Sequence, residues 1–415
     1  MGLRFLIISC VFPPEPVVSA QTSAQLAEWL AQQGHTVTVI TNFPNRPGGK
    51  LYAGYHRRWA RMEQHNGIRV VRCFTTLSGK SSLLSRFLEN LSFGMSSGCA
   101  VLRETRPDVI YANSWPIFAT GILCWIAQVK RIPLVISVQD IYPEALMVQG
   151  RLATRHPIYR WLECADQCIA RHSQAILVIS RRFQTIYTGK RGVPADRVHL
   201  IPNWADQRKF HLSGQGQEIR RQHGIPLDSF LAVYGGNIGA AAGVETVIEA
   251  FRYIQDRMHL LVAGDGSHLP ACQRLAAGRL SERIHFHSPW PAEQTAQVYQ
   301  AADVLILPTR GDQSLVSVPS KMLGYMFSGK PILTLAVPGS DLVELVDTSN
   351  CGWVVEPDYP QKLADKLLEV ARMSPKARRA YGESGRAYAL KHLTAEVCLP
   401  QVGEVLMLAV KHAVE

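Results

Sequence analysis

The stretch VPSKMLGYMFSGKP, residues 318–331, holds the residue whose chemistry is easiest to define. Lys321 stands at the start of a predicted helix over 319–328, where the helix dipole is already positive and a cation is disfavoured. A bound diphosphate reverses that argument, because free amides at a helix start and a lysine both serve an anion. Ser317 and Ser320 are placed to cap this helix, and Pro319 suits its first turn. The plainer reading is a lysine projecting into water. Gly324 costs about 1 kcal/mol against alanine inside a helix and so asks for a reason of its own.

Other loops carry candidate groups. YGGNIGAAAG (234–243) follows a strand and opens a helix, so Gly235, Gly236 and Gly239 permit close backbone approach to a phosphate. A tight strand–helix turn would use the same glycines. AGDGS (263–267) is a second glycine turn without dinucleotide spacing. SVQDIYPEAL (137–146) ends a strand with Gln139, Asp140 and Glu144. Such carboxylates can bind sugar hydroxyls or orient a substrate, and Asp140 could equally cap the next helix. FPPEP (12–16) puts Glu15 on the first post-strand loop, as a sugar ligand or as a solvated carboxylate on a proline turn. The histidines suggest no cleft base, and no Ser-His-Asp or paired-carboxylate pattern for hydrolysis is legible. Cys164 and Cys168 lie one helical turn apart without a second pair to complete a metal site.

These loops need a scaffold, and the chain spells one twice. Apolar runs at 4–9, 36–41, 70–74, 108–113, 133–140 and 175–180 alternate with helical stretches, and VHLIPN (198–203) closes the first half. The pattern restarts at 230–237, 259–266, 283–287, 303–309, 331–336 and 352–357. Strands apolar on both faces and separated by helices predict parallel sheets covered on both sides. The expected organisation is α/β, with two doubly wound domains facing across a cleft. The first spans 1–205 and takes back a C-terminal helix (392–415); the second spans 206–391. PIFATGILCWIAQV (116–129) is too short to span a bilayer and reads as a buried helix. The start reads as a first strand, not a leader, because no small-residue cleavage site follows.

Charge divides unevenly. Residues 1–205 carry 23 Lys+Arg against 11 Asp+Glu, a net of +12, whereas residues 206–415 carry 21 against 22, a net of −1. A one-sided basic field favours an anionic partner, such as lipid head groups or phosphorylated substrates. Nucleic acid is the weakest choice, since no nucleic-acid motif accompanies the charge. Scattered cysteines in odd number imply a reducing cytoplasm.

With the loops placed, the chain resembles the family-4 glycosyltransferases of GT-B architecture, over essentially its whole length. FPPEP, GHTVTVITNFPNRPGGKLYAGY (34–55), VQDIYPEAL, ILVISRRF (176–183), LIPNWAD (200–206), YGGNIGAAAGVE (234–245), LLVAGDG, AADVLILPT (301–309) and VPSKMLGYMFSGKPIL carry the resemblance. It is nearest to bacterial surface-polysaccharide enzymes such as the colanic-acid and O-antigen L-fucosamine transferases. The resemblance implies a retaining transferase using a nucleotide-diphosphate sugar, usually UDP-linked. Its donor would lie on the second domain, against Gly236, Asn237, Gly239, Arg310, Ser317, Val318, Ser320, Lys321 and Gly324. Its acceptor would be a polyprenyl-diphosphate-linked glycan at the cytoplasmic face of the inner membrane, oriented by Glu15, Gln139, Asp140 and Glu144. The basic first half suits that anionic surface independently.

This chain departs from the family pattern. Asn237 and Ala242 stand where many members have an Arg and a Lys. Val316 and Gly324 stand at the places of two glutamates, the second of which usually holds the nucleotide ribose. Gln139 replaces a cleft histidine, and Val17, Val18 and Ser19 replace a glycine pair. On this reading Lys321, with Arg310, stabilises the departing UDP, and Gln139 and Asp140 attend the acceptor. No protein nucleophile and no essential metal are expected. Two rival expectations are a degenerate transferase-like module that only binds, and a UDP-sugar epimerase.

Overall fold

The computed structural model describes residues 2–46, 48–77, 83–114, 116–148, 150–210, 216–255 and 257–414. The chain divides into two compact units. Unit 1 comprises Met1–Met147, Leu152–Asn203 and Ala395–Glu415; unit 2 comprises Val148–Arg151 and Trp204–Thr394.

Unit 1 runs β1 (Arg4–Ser9), α1 (Val18–Gln32), β2 (Thr36–Asn42), β3 (Ala60–His65), β4 (Ile68–Cys73), α2 (Leu83–Arg103), β5 (Val109–Asn113), α3 (Ile117–Lys130), β6 (Leu134–Val138), α4 (Glu144–Val148), α5 (Pro157–His172), β7 (Ala175–Val178), α6 (Arg181–Thr185) and β8 (Val198–Leu200). Its sheet has the order β3-β4-β2-β1-β5-β6-β7-β8. Strands β5, β6 and β7 are apolar and buried, as helices on both faces require. Only β3 runs antiparallel, joined to β4 through Asn66 and Gly67 at φ 48° and 81°. That is the Asn-Gly hairpin turn, which the half-polar run ARMEQH does not announce.

Helix α1 is followed by Gly34 at φ 84°, a left-handed position that glycine adopts without strain. Helix α3 is not buried all round. Its inner face is, but Trp125 and Val129 on the outer face are each 65% exposed.

Unit 2 runs α7 (Gly216–Gln222), β9 (Phe230–Gly235), α8 (Val244–Ala250), β10 (Met258–Ala263), α9 (Leu269–Leu275), β11 (Ile284–His287), α10 (Thr295–Ala301), β12 (Val304–Leu307), α11 (Lys321–Ser328), β13 (Ile332–Leu335), α12 (Asp341–Ser349), β14 (Gly352–Val355), α13 (Pro360–Arg372) and α14 (Pro375–His392). Its strands are all parallel, in the order β11-β10-β9-β12-β13-β14. The last helix, α15 (Ala395–Val414), belongs to unit 1. Gly403 admits it to α1, since a Cβ there would lie 2.5 Å from the Trp29 ring. Among the described residues no helix is long and apolar enough to cross a membrane, and no group of three metal-ligating side chains forms.

Candidate functional site

The strand order of unit 2 reverses between β9 and β12. Open parallel sheets bind ligands at that point, beyond the carboxyl ends of the strands. The loops after these two strands are the glycine loop 235–243 and the long loop 308–320. They touch, for the Arg310 N–H donates to the Ala241 carbonyl at 3.2 Å.

Lys321 opens α11 and lies across the glycine loop. A Cβ on Gly236 would fall 1.8 Å from its Cε and 3.1 Å from its Nζ, and Gly236 sits at φ 152°. Only glycine can let this lysine pass. The Lys321 Nζ stands 5.6 Å from the centre of the Tyr234 ring, a cation–π distance. No carboxylate pairs with it among the described residues. Burial alone lowers its ammonium from 10.5 to about 8. A desolvated cation with no counter-ion is unfavourable, and an anionic ligand would relieve it.

Aromatic side chains outside the sequence-based candidates hold this loop. Tyr325, one turn after Lys321, accepts from the Gly235 N–H at 2.9 Å and donates to the Gly235 carbonyl at 3.2 Å. The Tyr234 hydroxyl donates to the Asn237 carbonyl at 2.6 Å. A Cβ on Gly235 would meet Tyr299 at 2.7 Å and Trp290 at 3.1 Å, so the loop rests on an aromatic shelf. The spacing of Tyr325 four residues after Lys321 is the one local clue to it. The second glycine turn supports the first: Ile238 N–H donates to the Asp265 carbonyl, and Gly264 and Gly266 leave room for the carbonyls of Gly236 and Ile238.

Several expectations are corrected in detail. Helix α11 starts at Lys321, and Ser320 makes no side-chain cap. Ser317 Oγ is engaged with Gln313 instead. The Met322 and Leu323 amides turn back to the carbonyls of Pro319 and Ser320, so they are not free for an anion. Gly324 does not open space for a ligand. A Cβ there would meet Phe210 at 2.9 Å and Tyr299 at 3.1 Å, and these two rings stack at 6.3 Å. The Phe210 ring explains the glycine. Arg310, Asn237 and Ser320 are exposed at the loop surfaces, while Val318 and Gly239 are half-buried.

In unit 1 the acidic candidates separate. Glu15 is buried, and its carboxylate accepts from the amides of Phe12, Asn45 and Arg46 at 2.8–3.2 Å. It fastens the loop after β1 to the loop after β2. Glu144 is buried, and both its oxygens accept from one Arg191 nitrogen, at 2.8 and 3.0 Å. Arg191 also binds Asp166 at 2.7 Å and Glu163 at 3.2 Å. Both glutamates are therefore occupied in holding the fold, against the expectation that they orient a sugar. Gln139 is fixed by Asn203, which donates to its Oε1 at 2.7 Å, and by Ser137 at 3.2 Å. Asn203 belongs to the LIPNWAD motif, and only the fold gives it this role. Asp140 alone keeps a carboxylate without hydrogen bond or ion pair among the described residues. It does not cap α4, and burial raises its pKa above the usual range.

The two units correspond to two family models. Residues 19–204 match the glycosyl transferase 4-like domain, and residues 229–373 match glycosyl transferases group 1. The chain belongs to the family-4 glycosyltransferases and is a transferase enzyme. It is 25% identical over 409 residues to the protein named colanic acid biosynthesis glycosyl transferase WcaI of Escherichia coli K12, covering 96% of this chain and 98% of that one. It is 24% identical over 302 residues to glycosyltransferase WbjE of Pseudomonas aeruginosa, covering 71% and 74%. Among solved structures it is similar to sucrose-phosphate synthase of Thermosynechococcus elongatus, with TM-score 0.76, 18% identity and 97% and 98% coverage. HepE of Anabaena with UDP-glucose has TM-score 0.71, 16% identity and 98% and 100% coverage. These likenesses establish the GT-B fold.

Proposed function

We propose that this chain is a retaining glycosyltransferase of cell-surface polysaccharide synthesis. It moves a sugar, an N-acetylated hexosamine or deoxyhexosamine, from a UDP carrier to a lipid-linked or growing glycan at the inner membrane. The observation that carries this reading is Lys321: a desolvated cation that no carboxylate among the described residues pairs, set against a glycine loop at the strand reversal of unit 2. The names of WcaI and WbjE support the polysaccharide role, and the UDP-glucose held by HepE supports the carrier.

Lys321 takes the charge that develops on the leaving diphosphate, and such electrostatic stabilisation is usually the largest catalytic contribution. Arg310, exposed on the adjoining loop, adds a second cation. These cations meet the diphosphate charge without an essential metal, so a chelator should leave turnover unchanged. Asp140, with its raised pKa, is the acceptor-side group able to hold a hydroxyl or its proton. Gln139 stands beside it in one fixed orientation. No side chain is assigned as nucleophile.

A second reading, a module that binds a sugar nucleotide without transfer, is favoured by Phe210 filling the space beside Gly324. The experiment that separates them incubates the full chain with membrane lipid extract and a panel of sugar nucleotides. Mass spectrometry then reads glycosylated lipid and released nucleotide. A UDP-sugar consumed with a matching lipid product supports the transferase. Nucleotide binding with neither product nor donor hydrolysis across the panel leaves only the module.

A further inference from the structure

Helices α2, α3 and α5 pack side by side on one face of the unit 1 sheet. Glycines let the first two approach closely: a Cβ on Gly94 would lie 2.8 Å from the Ala119 Cα, and one on Gly98 3.0 Å from Ile126. Their outer surface is unusually apolar for a protein face turned to water. Leu84, Phe87, Leu88, Met95 and Leu102 of α2 are exposed, as are Trp125 and Val129 of α3 and Ile158 and Trp161 of α5. The three helices are joined by a row of rings. Phe87 meets Phe118 edge-on at 4.9 Å, and Phe118 stacks on Trp161 at 5.3 Å. Contiguous patches of this kind mark contact surfaces.

Charge identifies the contact. Helix α3 carries no carboxylate. Those of the other two helices are already paired, Glu89 with Arg46 and Arg86, and Glu163 and Asp166 with Arg191. Exposed cations rim the patch: Arg103 and Arg106 at the end of α2, Arg131 after α3, and Arg155 and Arg160 at the start of α5. Exposed tryptophans with an arginine rim and no unpaired carboxylate on these helices suit the interface of an anionic bilayer.

We infer that the outer face of α2, α3 and α5 docks unit 1 on an anionic lipid bilayer, with Trp125 and Trp161 entering the head-group region. This rests on the membrane reading above and deepens it by assigning it a surface. Vesicles without any glycan acceptor test the surface apart from the transfer reaction.

The full chain is floated with vesicles of phosphatidylcholine alone and of equal parts phosphatidylcholine and phosphatidylglycerol. It should rise with the anionic vesicles, less so as salt is added, and brominated acyl chains should quench its tryptophan emission. Trp125→Ser with Trp161→Ser should weaken partitioning by about tenfold or more and abolish the quenching, and Trp125→Ser alone, which leaves the Phe118–Trp161 stack intact, should weaken partitioning with the thermal midpoint preserved. Arg103→Gln with Arg160→Gln should remove the preference for anionic vesicles. Equal flotation of the parent and the double tryptophan variant would overturn the inference, and so would a parent chain that stays in solution with both vesicle types. A concentration-dependent dimer that the tryptophan variant dissolves would assign the face to a second copy and also overturn it.

Discussion

Glu144 of unit 1 and Lys321 of unit 2 both follow a parallel strand, yet their charges have opposite fates. Glu144 is met by Arg191 at 2.8 Å inside a network of carboxylates. Lys321 is half-buried and desolvated enough to lower its pKa, yet among the described residues it meets the ring of Tyr234 and the bare backbone of Gly236 and no carboxylate. A buried charge that finds its partner within the chain contributes to the fold. One left without a partner is kept at a cost, and that cost points to a ligand.

The contrast breaks first at Lys321. Lys321→Ala should cut transfer by about 10²–10³-fold, as losing one stabiliser of developing charge does elsewhere. The thermal midpoint should not fall, because no internal ion pair is lost. The pH dependence has a defined sign. The free ammonium is held down at about 8, and only its protonated form pairs with diphosphate. UDP affinity should therefore fall as pH rises above about 8, by roughly tenfold per unit at the limit. Calorimetric titration of UDP across that range checks it. An affinity that is flat from about pH 7 to 9, or a variant with near-normal turnover, would remove Lys321 from the donor site.

The opposite outcome is expected for Glu144. Glu144→Ala leaves a buried guanidinium short of one partner and should cost about 3 kcal/mol in a denaturant titration. Turnover per folded molecule should hold. Asp140→Asn reverses both effects. It removes a desolvated carboxylate that has no partner among the described residues, so stability should be kept or rise, while transfer drops by at least about tenfold. If Asp140→Asn unfolds the protein and Glu144→Ala silences it, the division between structural and chemical carboxylates in unit 1 is wrong.

Gly324→Ala tests the ring that explains this glycine. A methyl group 2.9 Å from Phe210 should cost about 1–3 kcal/mol in packing, against about 1 kcal/mol gained in helix propensity. The net loss is small, and UDP affinity should stay within about twofold of the parent. A clear gain in stability would mean that Phe210 does not occupy this space.

What the sequence made legible follows the range of each interaction. The apolar strands were plain, because burial on both faces is written in consecutive residues such as LVISV of β6. Lys321 was legible as well, since its conflict with the helix dipole is local. The roles of Glu15, Glu144 and Gly324 were not, because Arg46, Arg191 and Phe210 lie far off along the chain and only the fold brings them near. Strand β3 falls between these cases. ARMEQH lacks an apolar run, but the following Asn66-Gly67 pair is a local hairpin signal that could have located it.

The smallest effect concerns stability at acid pH, and it too divides the units. Four imidazoles line the α7 side of the β11 edge of unit 2. His259 Nδ1 lies 3.1 Å from His285 Nε2, and His223 Nε2 lies 3.0 Å from His287 Nδ1. One N–H bridges each pair when the rings are neutral, and two cations come into contact only if both His259 and His285 are protonated. Burial first, then the neighbouring imidazoles, holds His285 down from 6.5 to about 4, and His223 and His259 are lowered too. Unit 1 has His199 lowered by burial, with no imidazole partner among the described residues. A histidine held below its unfolded value contributes stability above about 6.5, and that contribution is lost as pH falls toward about 4. His223, His259 and His285 are partly exposed, so the loss is modest. Hydrogen exchange should show β10 and β11 losing protection in that window before β6 of unit 1 does. His285→Gln, which breaks the chain of rings, should narrow the gap between the two sheets. Equal acid loss in both sheets, unchanged by that substitution, would show that the imidazole row has no part in the acid stability of unit 2.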